Sequence, residues 1–388
     1  MKIILVSGAR PNYMKIAPII WAIREFNQHN SVVETVLVHT GQHYDRQLFH
    51  IFFQELDLPA PDYSLGVGAG SHAFQTAEVM TRLEPILEKE RPSLVLVVGD
   101  VNSTLAAAMT AVKMQIPVAH VEAGLRSFDR SMSEEVNRIV TDTLSDYLFV
   151  SEEAGTQNLL REGIDPSKIF FVGNVMIDSL QKSRHLWELS NIRDRLGLTS
   201  KKYGVVTLHR PSNVDNSEVF RDMMQAISEV SKRLPMVFPV HPRTQKQFEN
   251  LNGSISRIRI GAKGVIAEGI YGTEPLGYHD FMALVSGARL VLTDSGGIQE
   301  ETTFLNVPCL TLRENTERPV TVSHGTNRVI GTSPAAIIRE AREVFERPRP
   351  SCAAPPLWDG RAAERIIAIL GERIIGMKDN LVIQKKIN

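Results

Sequence analysis

Three carboxylates stand at or just past the ends of apolar runs in the first half of the chain. Asp100 follows residues 94–99, Glu122 follows residues 116–121, and Glu134 lies in the segment SMSEEVNR. A carboxylate in such a place either caps the next helix or projects into the mouth of a site as an acid or base. Helix capping remains an alternative for Asp100, and Glu134 and Glu135 have one as first-turn charges that favour a helix dipole. Carboxylates crowded around one cleft would have their pKa values pushed apart, which suits one to act as acid and another as base.

A second group of residues is suited to holding an anion. The segment TDSGGIQEE follows a strand-like run and opens a helix-like one. Its Ser295-Gly296-Gly297 turn lets backbone approach a ligand closely, and the first N–H groups of the helix point at a diphosphate. Glu301, one turn further on, can accept hydrogen bonds from ribose hydroxyls. The alternative is an ordinary strand-to-helix turn with a serine cap. The first loop, Ser7 to Pro11, leads into a helix with Arg10 and Lys15 near its start, although these can also be read as surface charge. It lacks the G-x-G-x-x-G of a dinucleotide site. His209 and Arg210 end the run VVTLHR, where a phosphate or leaving-group role is expected. His241 repeats that placement more weakly, and Arg313 and Arg318 extend a basic wall around the diphosphate.

These residues need elements to carry them. Strand-like runs at 2–7, 35–40, 94–99, 118–121, 147–151 and 170–173 alternate with helical spacing near 14–26, 72–90, 104–114, 134–145 and 153–162. The rhythm restarts with runs at 204–208, 236–240, 265–268, 290–293, 309–312 and 328–330, and helices near 218–233, 278–286, 298–304 and 334–345. Such alternation gives parallel sheets covered on both faces. The expected class is therefore α/β: two doubly wound, Rossmann-like domains facing a central cleft. Residues 1–175 form an N-terminal domain with the acid/base carboxylates, and 176–359 a C-terminal domain that grips the nucleotide. A terminal helix and polar tail, 360–388, pack back on the N-terminal domain. Ligands of open α/β sheets bind at the carboxyl ends of the strands, where the residues above fall.

Composition narrows the chemistry. A chain of 388 residues fits two domains of roughly 100–200 residues each. It is 43% hydrophobic and 22% charged, and no apolar run approaches the about 20 residues of a membrane-spanning helix. With 43 basic and 44 acidic residues the net charge of -1 creates no global field for nucleic acid or an anionic membrane. Two unpaired cysteines, Cys309 and Cys352, with no histidine cluster beside them, argue against a disulfide framework and a structural zinc site and fit a reducing cytoplasm. No metal or other cofactor is expected.

Taken in order, SGARPNYMK, GDVNST, HVEAGLRS, SEEVNR, TLHRPSN, PVHPRT, TDSGGIQEE and ENTERP resemble the non-hydrolysing UDP-N-acetylglucosamine 2-epimerases, from about Lys2 to Gly331. The resemblance implies that Asp100, Glu122 and Glu134 are the acid/base carboxylates and His209 a catalytic, phosphate-contacting residue. Arg10 and Lys15 would line the cleft, and Ser295, Gly296, Gly297, Glu301 and Arg318 would hold UDP. It also implies the two-domain fold shared with one large class of glycosyltransferases (GT-B), usually as a homodimer, and a reversible inversion at carbon 2. The pattern around residues 42–44 and 71–75 looks more like a branch of varied substrates, including a diacetamido uronic acid nucleotide. The other expectations weighed are a glycosyltransferase of the same class, a hydrolysing epimerase and a catalytically silent UDP-sugar sensor.

Overall fold

The computed structural model describes the chain except residues 9, 30–32, 42–45, 241–243, 246, 248–257, 261–268, 348–351 and 376–388, and the side chains of 10, 46–50, 258–260 and 375. The chain divides into two compact units, Met1–Lys182 with Pro356–Asn388, and Ser183–Pro355.

The first unit is built on β1 (Lys2–Ser7), β2 (Glu34–His39), β3 (Tyr63–Ser64), β4 (Leu94–Val98), β5 (Val118–Ala123), β6 (Tyr147–Val150) and β7 (Ile169–Phe171). They form one sheet in the order β3-β2-β1-β4-β5-β6-β7, with every pair parallel. Near-continuous apolar strands such as LVLVV of β4 are buried on both faces, as a parallel sheet with helices on either side requires. One face packs against Val79, Leu83 and Leu87 of helix His72–Glu90 and Ala106, Ala107 and Ala111 of helix Asn102–Lys113. Helix Ala362–Leu370 packs on helices Arg10–His29 and Val175–Lys182. The Asp178 carboxyl group fastens its start by accepting the N–H groups of Ala362 (3.1 Å) and Ala363 (2.7 Å), although burial outweighs these bonds and pushes its pKa up to about 7.

The second unit repeats the plan with β8 (Gly204–Thr207), β9 (Met236–Pro239), β10 (Ile258–Ile260), β11 (Ile270–Thr273), β12 (Leu290–Thr293), β13 (Cys309–Thr311) and β14 (Asn327–Val329). The order is β10-β11-β9-β8-β12-β13-β14, again all parallel. Its core joins Val206, Phe238, Leu292 and Leu310 of the sheet to Phe220, Met224 and Ile227 of helix Ser217–Val230. Both sheets are doubly wound α/β, the expected class. The strand order reverses between β1 and β4 in the first sheet and between β8 and β12 in the second, where such sheets bind ligands.

Several local expectations change. The strand expected at 265–268 lies outside the described residues. The run at Ile270–Thr273, not among the expected strands, is strand β11. Helices Arg46–Glu55 and Val175–Lys182 were not anticipated either. The helix expected from residue 298 starts at Gly296. A glycine pair reads as a turn, but at a helix start the N–H groups have no intrahelical partner anyway.

Candidate functional site

At the first switch point the site is made by a bulge. Val121 pairs with Phe149 and Ala123 with Val150, so Glu122 is an extra residue in β5, with φ of 73°. Bulges re-aim a side chain, and here the carboxylate meets the ammonium of Lys15 in a buried ion pair. Gly99, φ 68°, makes room for this pair: a Cβ there would sit 2.8 Å from Lys15 Nζ and 3.6 Å from Glu122 Oε2. Asn12 sets the position of Lys15, three residues further along the same helix. Its side chain accepts the Gly8 N–H (3.3 Å) and donates to the Val98 carbonyl (2.9 Å), tying the helix start to β1 and β4.

Asp100 is not a helix cap, since Val101 holds that position for helix Asn102–Lys113. Its carboxylate pairs instead with Arg138, and its carbonyl accepts from Asn137 Nδ2 at 2.9 Å. Both partners come from helix Ser133–Leu144. Arg138 also binds Glu135 (2.7 Å), which is buried and accepts the N–H groups of Ser127 (2.9 Å) and Phe128 (2.8 Å). Burial works most strongly against ionising Glu135, but the Ser127 N–H and Arg138 outweigh it and lower its pKa. Of the Glu134-Glu135 pair, Glu135 is therefore the brace. Glu134 is half-buried at the helix start and accepts from Ser133 Oγ (3.1 Å).

Behind this layer His120 of β5 bridges Asp142 (2.6 Å) and the Gly99 carbonyl (2.8 Å). Asp142 also receives the Gly124 N–H (3.0 Å) and pairs with Arg126 (2.7 Å). Despite complete burial, which opposes ionisation most, His120 and Arg126 hold the Asp142 carboxyl below its usual pKa.

At the second switch point Asp294 organises the residues. Fully buried after β12, it accepts the backbone N–H groups of His209 and Arg210 and the Asn213 side chain (3.0–3.2 Å). Its Oδ1 lies 3.0 Å from His209 Nδ1, leaving the imidazole partly exposed. Burial again opposes the charge most, and His209 outweighs it, so the Asp294 pKa is lowered. Ser295 is the N-cap of helix Gly296–Phe304, but its hydroxyl makes no capping bond. Gly296 is required: a Cβ there would lie 2.5 Å from Arg318 Nη1 and 2.7 Å from Glu317 Oε1. Glu301 is buried one turn further along, and Gly297 belongs to the same first turn.

Arg210 (3.6 Å), Arg313 (2.8 Å) and Arg318 (2.6 Å) converge on the buried Glu317, and Arg318 also meets Glu300 (2.8 Å). Burial of Glu317 opposes its charge most, yet Arg318, Arg313 and Arg210 drive its pKa far below the carboxylate range. This places guanidinium groups beside a helix N-terminus, a combination suited to a diphosphate.

The first unit thus brings Lys15 to Glu122 and ties Asp100 to helix Ser133–Leu144, whose first turn carries Glu134. The second brings together His209, Arg210, Ser295, Gly296, Arg313 and Arg318. His241 and the Arg10 side chain lie outside the described residues, as does the 42–44 segment. Sequence reading missed Glu135, Arg138, His120, Asp142, Asp294 and Glu317. Arg138 and Asp294 had a usable signal, being part of SEEVNR and TDSGG. Glu317 had the same kind of signal as part of ENTERP, but a glutamate next to an arginine reads as surface charge. Among the described residues no group of three or more His, Cys, Asp or Glu could hold a metal ion, and no helix is long and apolar enough to cross a membrane.

A family described as UDP-N-acetylglucosamine 2-epimerase matches residues 24–371. The chain is 41% identical over 375 residues to the UDP-N-acetylglucosamine 2-epimerase of Methanocaldococcus jannaschii, covering 95% of this chain and 99% of that one. The crystal structure of the M. jannaschii enzyme in complex with UDP-GlcNAc and UDP superposes with a TM-score of 0.86 at 40% identity, over 95% of this chain and 99% of that one. The UDP-2,3-diacetamido-2,3-dideoxy-D-glucuronate 2-epimerase of Pseudomonas aeruginosa is 38% identical over 346 residues, 88% of this chain and 92% of that one.

Proposed function

Because the chain belongs to the UDP-N-acetylglucosamine 2-epimerase family, we propose that it interconverts UDP-N-acetylglucosamine and UDP-N-acetylmannosamine through loss and re-addition of UDP. The observation that supports this most is the buried Lys15–Glu122 pair, which a bulge sets at the first switch point against Gly99, the residue before Asp100.

Carbon 2 of a UDP-sugar is not next to a carbonyl, so its proton is not acidic enough for a carboxylate to remove directly. The C1–O bond must loosen first, its electron pair passing to the β-phosphate oxygen of UDP. His209, Arg318 and the helix N-terminus at Ser295–Gly297 take up that developing charge. As positive charge builds on carbon 1, a carboxylate takes the carbon 2 proton, and the C2–H electrons become the C1–C2 double bond of a 2-acetamidoglycal. Overall the elimination is anti. Re-addition of UDP, with a proton delivered to the other face of carbon 2, gives the epimer. Glu122 is the first choice as base, with Lys15 balancing its charge in a buried setting. Asp100 and Glu134 are the candidates for the opposite face. In the second unit Ser295, Gly296, Gly297, Glu301, Arg210, Arg313 and Arg318 hold UDP.

The same reading makes the protein a cytoplasmic homodimer that supplies N-acetylmannosamine units for surface polysaccharide. Likeness to the P. aeruginosa enzyme favours one second reading, carbon 2 epimerisation of a diacetamido uronic acid nucleotide. Proton NMR with UDP-N-acetylglucosamine in deuterated water tests the choice. The manno epimer with deuterium at carbon 2 is expected. Unchanged substrate, together with turnover of the diacetamido uronate nucleotide, would favour the second reading, and release of free N-acetylmannosamine would contradict elimination and re-addition.

A further inference from the structure

Phe128 is the most out-of-place side chain in the first unit. The residue is 75% exposed, and its backbone lies in the left-handed region with φ of 60°. A bulky residue there is a conformational outlier, and an outlier that persists must be held by its surroundings. The surroundings do hold it. The Phe128 N–H donates to Glu135 Oε1 at 2.8 Å, and the N–H and hydroxyl of Ser127 donate to Glu135 Oε2 at 2.9 and 3.0 Å. On the other side the Asp129 N–H donates to Ser127 Oγ (3.3 Å), while the Asp129 carboxylate accepts the Ser131 N–H (2.9 Å) and hydroxyl (2.6 Å). Backbone on both sides of the ring is thus fixed, while the ring itself faces out.

The brace that fixes Phe128 also positions the acid/base group. Glu135 binds Arg138, and Arg138 binds Asp100, so two ion pairs and one hydrogen bond link the Phe128 backbone to the Asp100 carboxylate. Glu134, the other carboxylate on this helix, is the immediate neighbour of Glu135. A glycine would fit this backbone without strain, and a polar residue would suit the exposure. The fold itself therefore does not account for an aromatic ring at this position.

We propose that Phe128 is a sugar-contacting specificity residue, its ring packing against the apolar face of the pyranose or the acetamido methyl when the sugar sits over the carboxylates of the first unit. This rests on the reading that the substrate is a UDP-linked acetamido sugar. A rigid aromatic platform contributes contact area at little entropic cost, and its strained backbone is compensated by the Glu135 brace.

The test uses the full-length protein with Phe128→Gly, Phe128→Ala and Phe128→Leu. Kinetics are followed with UDP-N-acetylglucosamine, UDP affinity by calorimetry, Tm by calorimetric scan, and assembly by sedimentation velocity. Phe128→Gly relieves the left-handed strain, so its Tm should stay level or rise while kcat/KM falls roughly tenfold or more. Phe128→Ala should lose kcat/KM similarly, Phe128→Leu should retain most of it, and the Kd for UDP, which lacks the sugar, should not change in any of them. Unchanged kcat/KM in the glycine variant overturns the proposal and leaves the epimerase reading standing. A kinetic loss that tracks a change in sedimentation assigns Phe128 to contact with another copy and also overturns it. A wild-type protein that turns over no UDP-linked acetamido sugar removes the premise, and the proposal falls with it.

Discussion

Asp294 and His209 are joined twice: the Asp294 carboxylate accepts the His209 backbone N–H at 3.1 Å, and its other oxygen lies 3.0 Å from His209 Nδ1. One buried anion therefore fixes both where the imidazole starts and which way its second nitrogen faces.

Replacing Asp294 with Asn keeps the shape but weakens both links. Turnover is expected to fall roughly 100-fold, the low end of a general acid–base contribution. Stability should fall by about 1–3 kcal/mol, because the His209 and Arg210 N–H groups lose a charged acceptor. Steady-state assays and urea unfolding read the two effects, and a variant with full activity would remove His209 from the reaction.

Glu122→Gln should cut turnover roughly 100- to 10,000-fold while UDP affinity, measured by calorimetry, survives. The reverse pattern, lost affinity with intact turnover of bound substrate, would contradict the role given to Glu122.

Lys15→Met leaves a buried carboxylate without its cation and is expected to cost about 3–5 kcal/mol of stability. Adding Glu122→Gln to that variant should restore much of it, and a double-mutant cycle of unfolding free energies measures the coupling. Additive effects would mean that the pair is not coupled.

Gly99→Ala forces a side chain into the left-handed region and against Lys15 Nζ. The backbone cost alone is about 1–2 kcal/mol. Activity should fall further than this loss of stability implies, because the new methyl displaces the Lys15–Glu122 pair, and a stability loss with unchanged kcat would argue against that displacement.

Acid should unfold the protein through Asp142, Asp294 and Glu317. Each has a folded pKa below its ordinary value, so each contributes stability that is present above the unfolded carboxylate pKa of about 4. That stability is lost as pH falls from there through the depressed values. Urea midpoints measured from pH 6 downward should drop below about pH 4, and Asp142→Asn should flatten the drop.

Much of this protein could be read in its sequence. Alternating apolar runs and helical spacing indicate two doubly wound sheets, because strands buried on both faces must be continuously apolar. Asp100, Glu122, His209 and Ser295 were identifiable as strand-end residues, since strand ends in such folds are where ligands bind. The sequence could not say how those residues are held. The bulge that turns Glu122 toward Lys15 depends on the register of β5 against β6, which is a property of strands paired in space. Glu135 reads as a first-turn helix charge and Glu317 only as part of ENTERP until the fold buries them among N–H groups and guanidiniums. Residue type and order thus determined which groups are available for chemistry. Tertiary structure decided which of them are buried and paired, because desolvation and charge partners come from residues distant in the chain.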